Sequence, residues 1–470
     1  MTLKDVLAHK FIKNFSYLTI GSILGQLMSL LAIYKLTRLI NPEYYGIYTY
    51  LISQGLLLVR VSSFGNNSIV VREISRNISI TKTVFTSTLI YRLIIIFGSS
   101  ILYIIYDAFF GNLTQNQIGL LIIFAIISSI TYIFEWAFTG QQKLQTVAYV
   151  NLAGNIVWLM SVLFFVTENS SPTHIYFLYL LSFLLKVILY LIFSVVNKIF
   201  ENQQLKEIWK EGFRINKISW PYFVMILLLL PMSNLDNNFL DLNSTNSEIG
   251  FFNLAKRLIG PLSLMNTMLI TAIFPNISSI WFSNREKFLK ILSNGFPVFI
   301  LVGGLVCFSF SIFCEELIRL LFDDEYLAAI AVCQIQVWYF LFFSIDFLMG
   351  TFLGASNHEK TVLKFAFIYF VVCAPAMYFG SYYGAIGISI ALLASFVASM
   401  FFTWRMFKRK VQLKMKASQN SFILIFALIA ISFLITHVYH LNIIYKIIFF
   451  VILGFYISVK AFKQFKKFSI

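Results

Sequence analysis

Apolar residues recur along this chain in runs of about twenty, each closed by a short polar break, and the pattern repeats about fourteen times between Phe15 and Lys460. At ~1.5 Å per residue, a helical run of that length crosses a hydrocarbon layer of ~30 Å. Backbone in oil has no water to bond, so each run has to satisfy its own amide groups as a helix. The expected spans are 15–36, 45–66, 83–106, 117–139, 145–167, 173–197, 216–240, 250–280, 291–313, 328–353, 361–380, 384–404, 420–437 and 441–460. This is the pattern of an all-α polytopic membrane protein with almost no chain left for a soluble domain.

The polar breaks set an orientation. With the N-terminus in the cytoplasm, the inside segments collect most of the 36 basic residues, including Arg72, Arg76 and Lys82, Lys206 to Lys217, and Arg405 to Lys416. The outside segments then hold only Lys35, Arg38 and Arg319. Lys and Arg are retained on the cytoplasmic side, so both termini are expected inside, with an even number of spans. The longest break, Asn197 to Lys217, alternates apolar and charged residues and predicts an amphipathic helix on the cytoplasmic face.

Composition agrees: 59% of the residues are hydrophobic and 12% charged, against ~45–50% and ~25% in soluble domains. The net charge of +16 does not point to nucleic acid, because the basic residues collect at helix ends. Cys307, Cys314, Cys333 and Cys373 lie in apolar runs without a CxxC pair and read as small buried hydrophobes. No Walker A run, DxD cluster or nucleophile elbow is present, so no cofactor and no metal is expected. A membrane polymerase or glycosyltransferase is the alternative from a different class. It would need a catalytic cluster in a sizeable outer loop, and the largest outer acidic stretch, Glu315 to Glu325, is short.

The two halves echo each other. Asn41-Pro-Glu43-Tyr-Tyr-Gly46 opens the second span and Asn246-Ser-Glu248-Ile-Gly250 the eighth; Gly140-Gln-Gln-Lys143 follows the fourth and Gly354-Ala-Ser-Asn-His-Glu-Lys360 the tenth. Both pairs fall at equivalent points of a six-helix unit, and six is even, so the repeat is parallel. The expected organisation is an N-terminal six-helix lobe over 1–197, a cytoplasmic linker over 198–217, a C-terminal six-helix lobe over 218–405, and two appended helices with a basic C-terminus over 406–470.

These motifs carry a resemblance. Arg38-Leu-Ile-Asn-Pro-Glu-Tyr-Tyr-Gly46 resembles the start of the second helix in polysaccharide flippases of the MOP (multidrug/oligosaccharidyl-lipid/polysaccharide) exporter superfamily, the group that includes O-antigen flippases. Gly250-Phe-Phe-Asn-Leu-Ala-Lys-Arg257 resembles that family's eighth helix, and Phe274-Pro275, Leu321-Phe-Asp-Asp-Glu-Tyr326 and Gly354 to Lys360 have counterparts there. The resemblance implies two lobes facing a central cavity. It also implies a lipid-linked oligosaccharide turned over from the cytoplasmic to the outer leaflet of a bacterial inner membrane. A polysaccharide polymerase and a chain-length regulator are the protein partners it suggests.

Ionisable residues inside spans are costly and are usually paired, hydrated or functional. The cations are Arg60, Arg92, Lys186, Lys256 and Arg257; the acids are Glu135, Asp236 and Asp346. Five against three leaves a cationic interior, suited to a polyprenyl-pyrophosphate headgroup that would otherwise forfeit its hydration. Arg257 is the leading candidate because position and family motif agree there. Lys256 sits ~100° round the helix from it. Asp346, Glu135 and Asp236 are candidates for ion coupling. Trp136, Trp158, Trp220, Tyr222, Asn234, Asn237 and Asn238 are candidate sugar contacts. The rival transporters are a lipid II flippase and a drug or cation antiporter; the antiporter would favour an acidic interior.

Overall fold

In a computed structural model, residues 3–196, 205–263, 266, 280–281, 283–356, 358–411, 416–439 and 441–466 are described. Among them all regular structure is helical, as the apolar runs require. The elements are α1 (Leu3–Thr37), α2 (Pro42–Ser63), α3 (Asn67–Arg76), α4 (Thr81–Phe110), α5 (Gln115–Gly140), α6 (Leu144–Phe165), α7 (Pro172–Val196), α8 (Leu205–Leu229), α9 (Leu235–Asn243) and α10 (Asn246–Ile259). They continue as α11 (Arg285–Leu321), α12 (Ala329–Ala355), α13 (Glu359–Ser381), α14 (Gly384–Val411), α15 (Lys416–Phe433) and α16 (Ile443–Lys466).

Eleven helices among the described residues are long and apolar enough to cross a membrane. Three of the fourteen expected spans stand outside that set. α2 carries four tyrosines, Ser53, Gln54 and Arg60 along its length. The seventh is broken between α8 and α9. The eighth is described as a helix only to Ile259, followed by a tight turn over Gly260–Leu262, and the family-like Phe274-Pro275 motif lies outside the described residues. Local chemistry fixes several ends. Asn41 caps α2 by accepting from the Tyr44 amide at 2.8 Å, with Pro42 in the first turn, where its missing N–H costs nothing. Thr114 and Gln117 form a reciprocal capping box on α5.

The chain forms two compact units, Met1–Gly250 and Phe251–Ile470. In the first, α1 lies along α6, α6 and α5 pack on α7, and α2 packs on α5 and α4. In the second, α13 and α14 form a hairpin, α12 packs on α14, and α11 carries α12, α15 and α16.

The sequence repeat draws its boundary in the 198–217 linker, whereas α8 and α9 are tied to the N-terminal helices. Arg214 bonds Glu73 at 2.8 Å and Glu211 at 2.6 Å, and the Asn66 amide donates to Asn216 at 2.9 Å. The expected amphipathic helix is not a separate element from Leu205 onward: it runs straight into the first half of the seventh span as α8, past Pro221. Ile208 and Ile215 face inward, while Trp209 and Phe213 stay exposed. The helix stops at Leu230–Asn234, around Pro231, which has no amide proton to continue the ladder.

Candidate transport site

Five of the eight candidate charges lie in the N-terminal unit, and the side chains form one electrostatic neighbourhood. Arg60 stands in the last turn of α2, exposed, with Asp236 of α9 and Tyr132 of α5 as its charged and polar neighbours. Tyr132 in turn neighbours Arg92 and Glu135. Glu135 faces Lys186 of α7, with Asn151 of α6 alongside.

Arg92 does not present its charge to a passage. It is 1% exposed on α4; its Nη2 donates to the Val59 carbonyl at 3.0 Å and its Nε to Ser62 Oγ at 3.3 Å. Its guanidinium carbon lies 4.7 Å from the ring centre of Trp136. These partners are neutral, and Nη1 has none. The guanidinium clamps the C-terminal turns of α2 through Val59 and Ser62, where the negative end of the helix dipole favours a cation. That clamp holds the turn in which Arg60 sits.

Lys186 is also buried. Its Nζ lies 4.6 Å from the Phe183 ring centre, and its alkyl stem fills the space left by Gly154, where a Cβ would collide with it. An aromatic wall surrounds this part of α7: Trp158 stacks on Tyr48 at 5.9 Å and meets Tyr179 edge-on at 5.1 Å, and Tyr179 meets Phe183 at 5.4 Å.

Asp236 is fully buried, its Oδ1 accepting from the Asn237 amide at 2.8 Å. The neighbouring asparagines are engaged with α2. Asn237 donates to Ser53 Oγ at 2.9 Å, Asn234 to the Ser53 carbonyl at 3.2 Å, and Asn238 exchanges bonds with Gln54 at 2.9 and 3.3 Å. This polar seam docks the short α9 against α2 and engages three of the candidate sugar contacts. Trp136 and Trp158 are likewise packed inside, whereas Trp220 and Tyr222 are exposed. Ser53, Gln54 and Tyr132 are polar residues in apolar spans that sequence reasoning passed over; that contrast was the available signal.

The remaining three candidates belong to the C-terminal unit. Arg257 is exposed in the last turn of α10; Lys256 is half-buried, its Nζ 5.1 Å from the Phe252 ring centre one turn back. Asp346 of α12 accepts from the Tyr369 hydroxyl at 2.8 Å. Lys446 of α16 is 2% exposed and pairs with Glu316 at 2.7 Å and Glu315 at 3.9 Å. No group of three or more metal-ligating side chains occurs among the described residues.

Residues 11–281, more than half of the chain, match a protein family described as "Polysaccharide biosynthesis protein". The chain belongs to this family. Its fold is that of the MOP superfamily. The lipid II flippase MurJ, in an inward closed conformation, is similar over 97% of this chain and 98% of its own, with a TM-score of 0.71 at 15% identity. An inward-facing multidrug resistance MATE transporter of the MOP superfamily is similar over 82% of this chain and 94% of its own, with a TM-score of 0.63 at 14% identity. A MOP superfamily transporter from Pyrococcus furiosus, whose binding pocket is described as having reversed polarity, is similar over 86% and 97%, with a TM-score of 0.54 at 14% identity. No curated protein sequence matches the chain. The polysaccharide-biosynthesis family member is thus a multi-pass membrane protein with a transporter fold.

Proposed function

We propose that this family member is a flippase that carries a polyprenyl-pyrophosphate-linked oligosaccharide from the cytoplasmic to the outer leaflet of a bacterial cytoplasmic membrane by alternating access. Arg60 carries the reading. It is an exposed cation on a helix most of whose residues are buried, with two further cations, Arg92 and Lys186, in the same neighbourhood. Against them stand Glu135 and Asp236, so the neighbourhood is net positive. A pyrophosphate entering an apolar protein loses its hydration, and a planar fork of guanidinium donors replaces it well. Arg60 is the contact residue in this scheme, Arg92 positions it through the end of α2, and Glu135 with Lys186 forms a charge pair suited to ion coupling. Arg257 and Lys256 offer the corresponding cations in the C-terminal unit, and Asp346 a second coupling carboxylate. The delivered unit would pass to a polymerase and a chain-length regulator on the outer face.

A positive neighbourhood disfavours a cationic drug as cargo. The fold similarity to MurJ keeps lipid II as a second cargo, since it too joins a polyprenyl pyrophosphate to sugar. The test is complementation of a flippase-deleted strain. Arg60→Ala should abolish surface polysaccharide while lipid-linked precursor accumulates inside, and Arg60→Lys should retain part of the export. Normal export by Arg60→Ala at wild-type protein levels overturns the reading.

A further inference from the structure

A cavity of about 530 Å³ opens in the N-terminal unit where the first turns of α2 meet the α4–α5 and α9–α10 connections. We infer that it is a saccharide-binding site for a neutral or amino sugar, formed around Tyr50, Glu43 and Asp241. This deepens the flippase reading and rests on it for the identity of the sugar's carrier.

The floor of the cavity has unmet hydrogen-bonding capacity. Tyr50 is 3% exposed and lines the space, yet its hydroxyl has no hydrogen-bond partner. The hydroxyl lies beside the Asp241 carboxylate and the Tyr103 hydroxyl, and neither meets it in a well-formed hydrogen bond. The Tyr103 hydroxyl and one oxygen of Asp107, which neighbours Asp241, are buried and unpartnered as well. Buried polar groups are rarely left unsatisfied, so the Tyr50 hydroxyl on the cavity wall, with two more unpartnered groups behind it, calls for a ligand that carries hydroxyls.

The walls select among such ligands. Asn112, Asn246 and Ser247 supply amides and a hydroxyl, which both donate and accept, as a polyol requires. Ile47 offers an apolar patch for the C–H face of a ring. A bare cation would instead need a tight shell of oxygens at ~2.0–2.6 Å, whereas this space is of the size that holds small organic ligands. Glu43 and Asp241 are the charged groups lining it, and no Lys or Arg is among the lining residues. A uronic acid or a phosphate would meet like charge there; an amino sugar would meet opposite charge. Tyr50 and Arg60 lie ten residues apart on α2, ~15 Å along the helix. One helix therefore offers an anion contact at one end and a sugar contact at the other, in the order of a pyrophosphate-linked glycan.

The experiment is saturation-transfer NMR on the full-length protein in lipid nanodiscs, with N-acetylglucosamine, glucosamine and glucuronate as probes. The first two should give signal, and glucuronate at least fivefold less. Tyr50→Phe with Asp241→Asn should lower the signal at least fivefold. Ser247→Trp, which fills the cavity from its rim without removing a buried group, should do the same if the double variant misfolds. Arg60→Ala should leave sugar binding unchanged, so its export phenotype fails or holds independently of this site. Equal signal from all three sugars, no signal from any, or unaltered binding in Ser247→Trp overturns the assignment.

Discussion

The charges on α12 and α16 of the C-terminal unit and those on α2 and α4 of the N-terminal unit are handled in opposite ways. In the C-terminal unit the buried or half-buried charges on α12 and α16 meet a direct partner: Lys446 is closed by Glu316, and Asp346 receives the Tyr369 hydroxyl. In the N-terminal unit Arg92 is held by a carbonyl, a hydroxyl and an indole face, none of which cancels its charge, and Arg60 stays open. A closed pair holds helices together and is blind to a passing anion. An uncancelled charge leaves a positive field in a low-dielectric region, where it acts at its strongest. The difference fits Lys446 and Glu316 to scaffolding and Arg60, with Arg92 behind it, to the proposed anion contact.

The largest effect expected from this contrast is on export. Arg60→Ala should cut surface polysaccharide at least tenfold while the melting temperature of the purified protein hardly moves. A parallel loss of thermal stability would place Arg60 with the scaffolding charges instead. Lys446→Met should do the reverse. It strands Glu316, and breaking a buried pair costs about 3–5 kcal/mol in a fully enclosed site. Glu316 is 30% exposed, so about 1–3 kcal/mol is expected after allowing for solvent screening. Thermal unfolding of Lys446→Met against the Lys446→Met, Glu316→Gln pair checks it: the second change should recover part of the loss. Tyr369→Phe removes one donor from Asp346 and should cost about 1 kcal/mol, read by the same melt.

The smallest effect concerns acid stability at the α3–α8 contact. Burial pushes the Glu73 carboxyl up, but the Arg214 hydrogen bond and charge, joined by Arg72, outweigh it and hold Glu73 below its ordinary value of 4.5. A carboxyl lowered by folding stabilises the protein above the unfolded value and loses that contribution as pH falls through the folded one. Stability should therefore decline below pH 4.5, and Glu73→Gln should flatten that decline. An identical acid limb in wild type and variant would remove the ion pair from the account.

Most of the helices were legible in the apolar runs, because hydrocarbon forces the same answer wherever a run is long enough. The break at Leu230–Asn234 interrupts the expected span 216–240, and Pro231 is the residue in the sequence that accounts for it. What could not be read was direction. Arg92 and Arg60 look alike as basic residues in apolar helices, yet one turns into the end of α2 and the other turns out. Which face a residue occupies is settled by neighbours far along the chain, here Val59, Trp136 and Asp236. Lys446 makes the same point: its partners on α11 lie some 130 positions earlier, and nothing near Lys446 announces them. The asparagines of α9 were legible as polar residues in a span, but their use depends on Ser53 and Gln54, about 180 positions away.

One contact sets a limit on how this chain can vary. Gly46 of α2 and Gly250 of α10 lie in the two matching motifs, and backbone rests on backbone there: a Cβ at position 46 would land on the Asn246 carbonyl, and one at 250 on the Pro42 carbonyl. Neither glycine does chemistry, and neither can be enlarged without prising the two helices apart. The two most recognisable letters of the echoed motifs are therefore a matter of clearance: the matching segments touch, backbone to backbone, at the very residues by which they resemble each other.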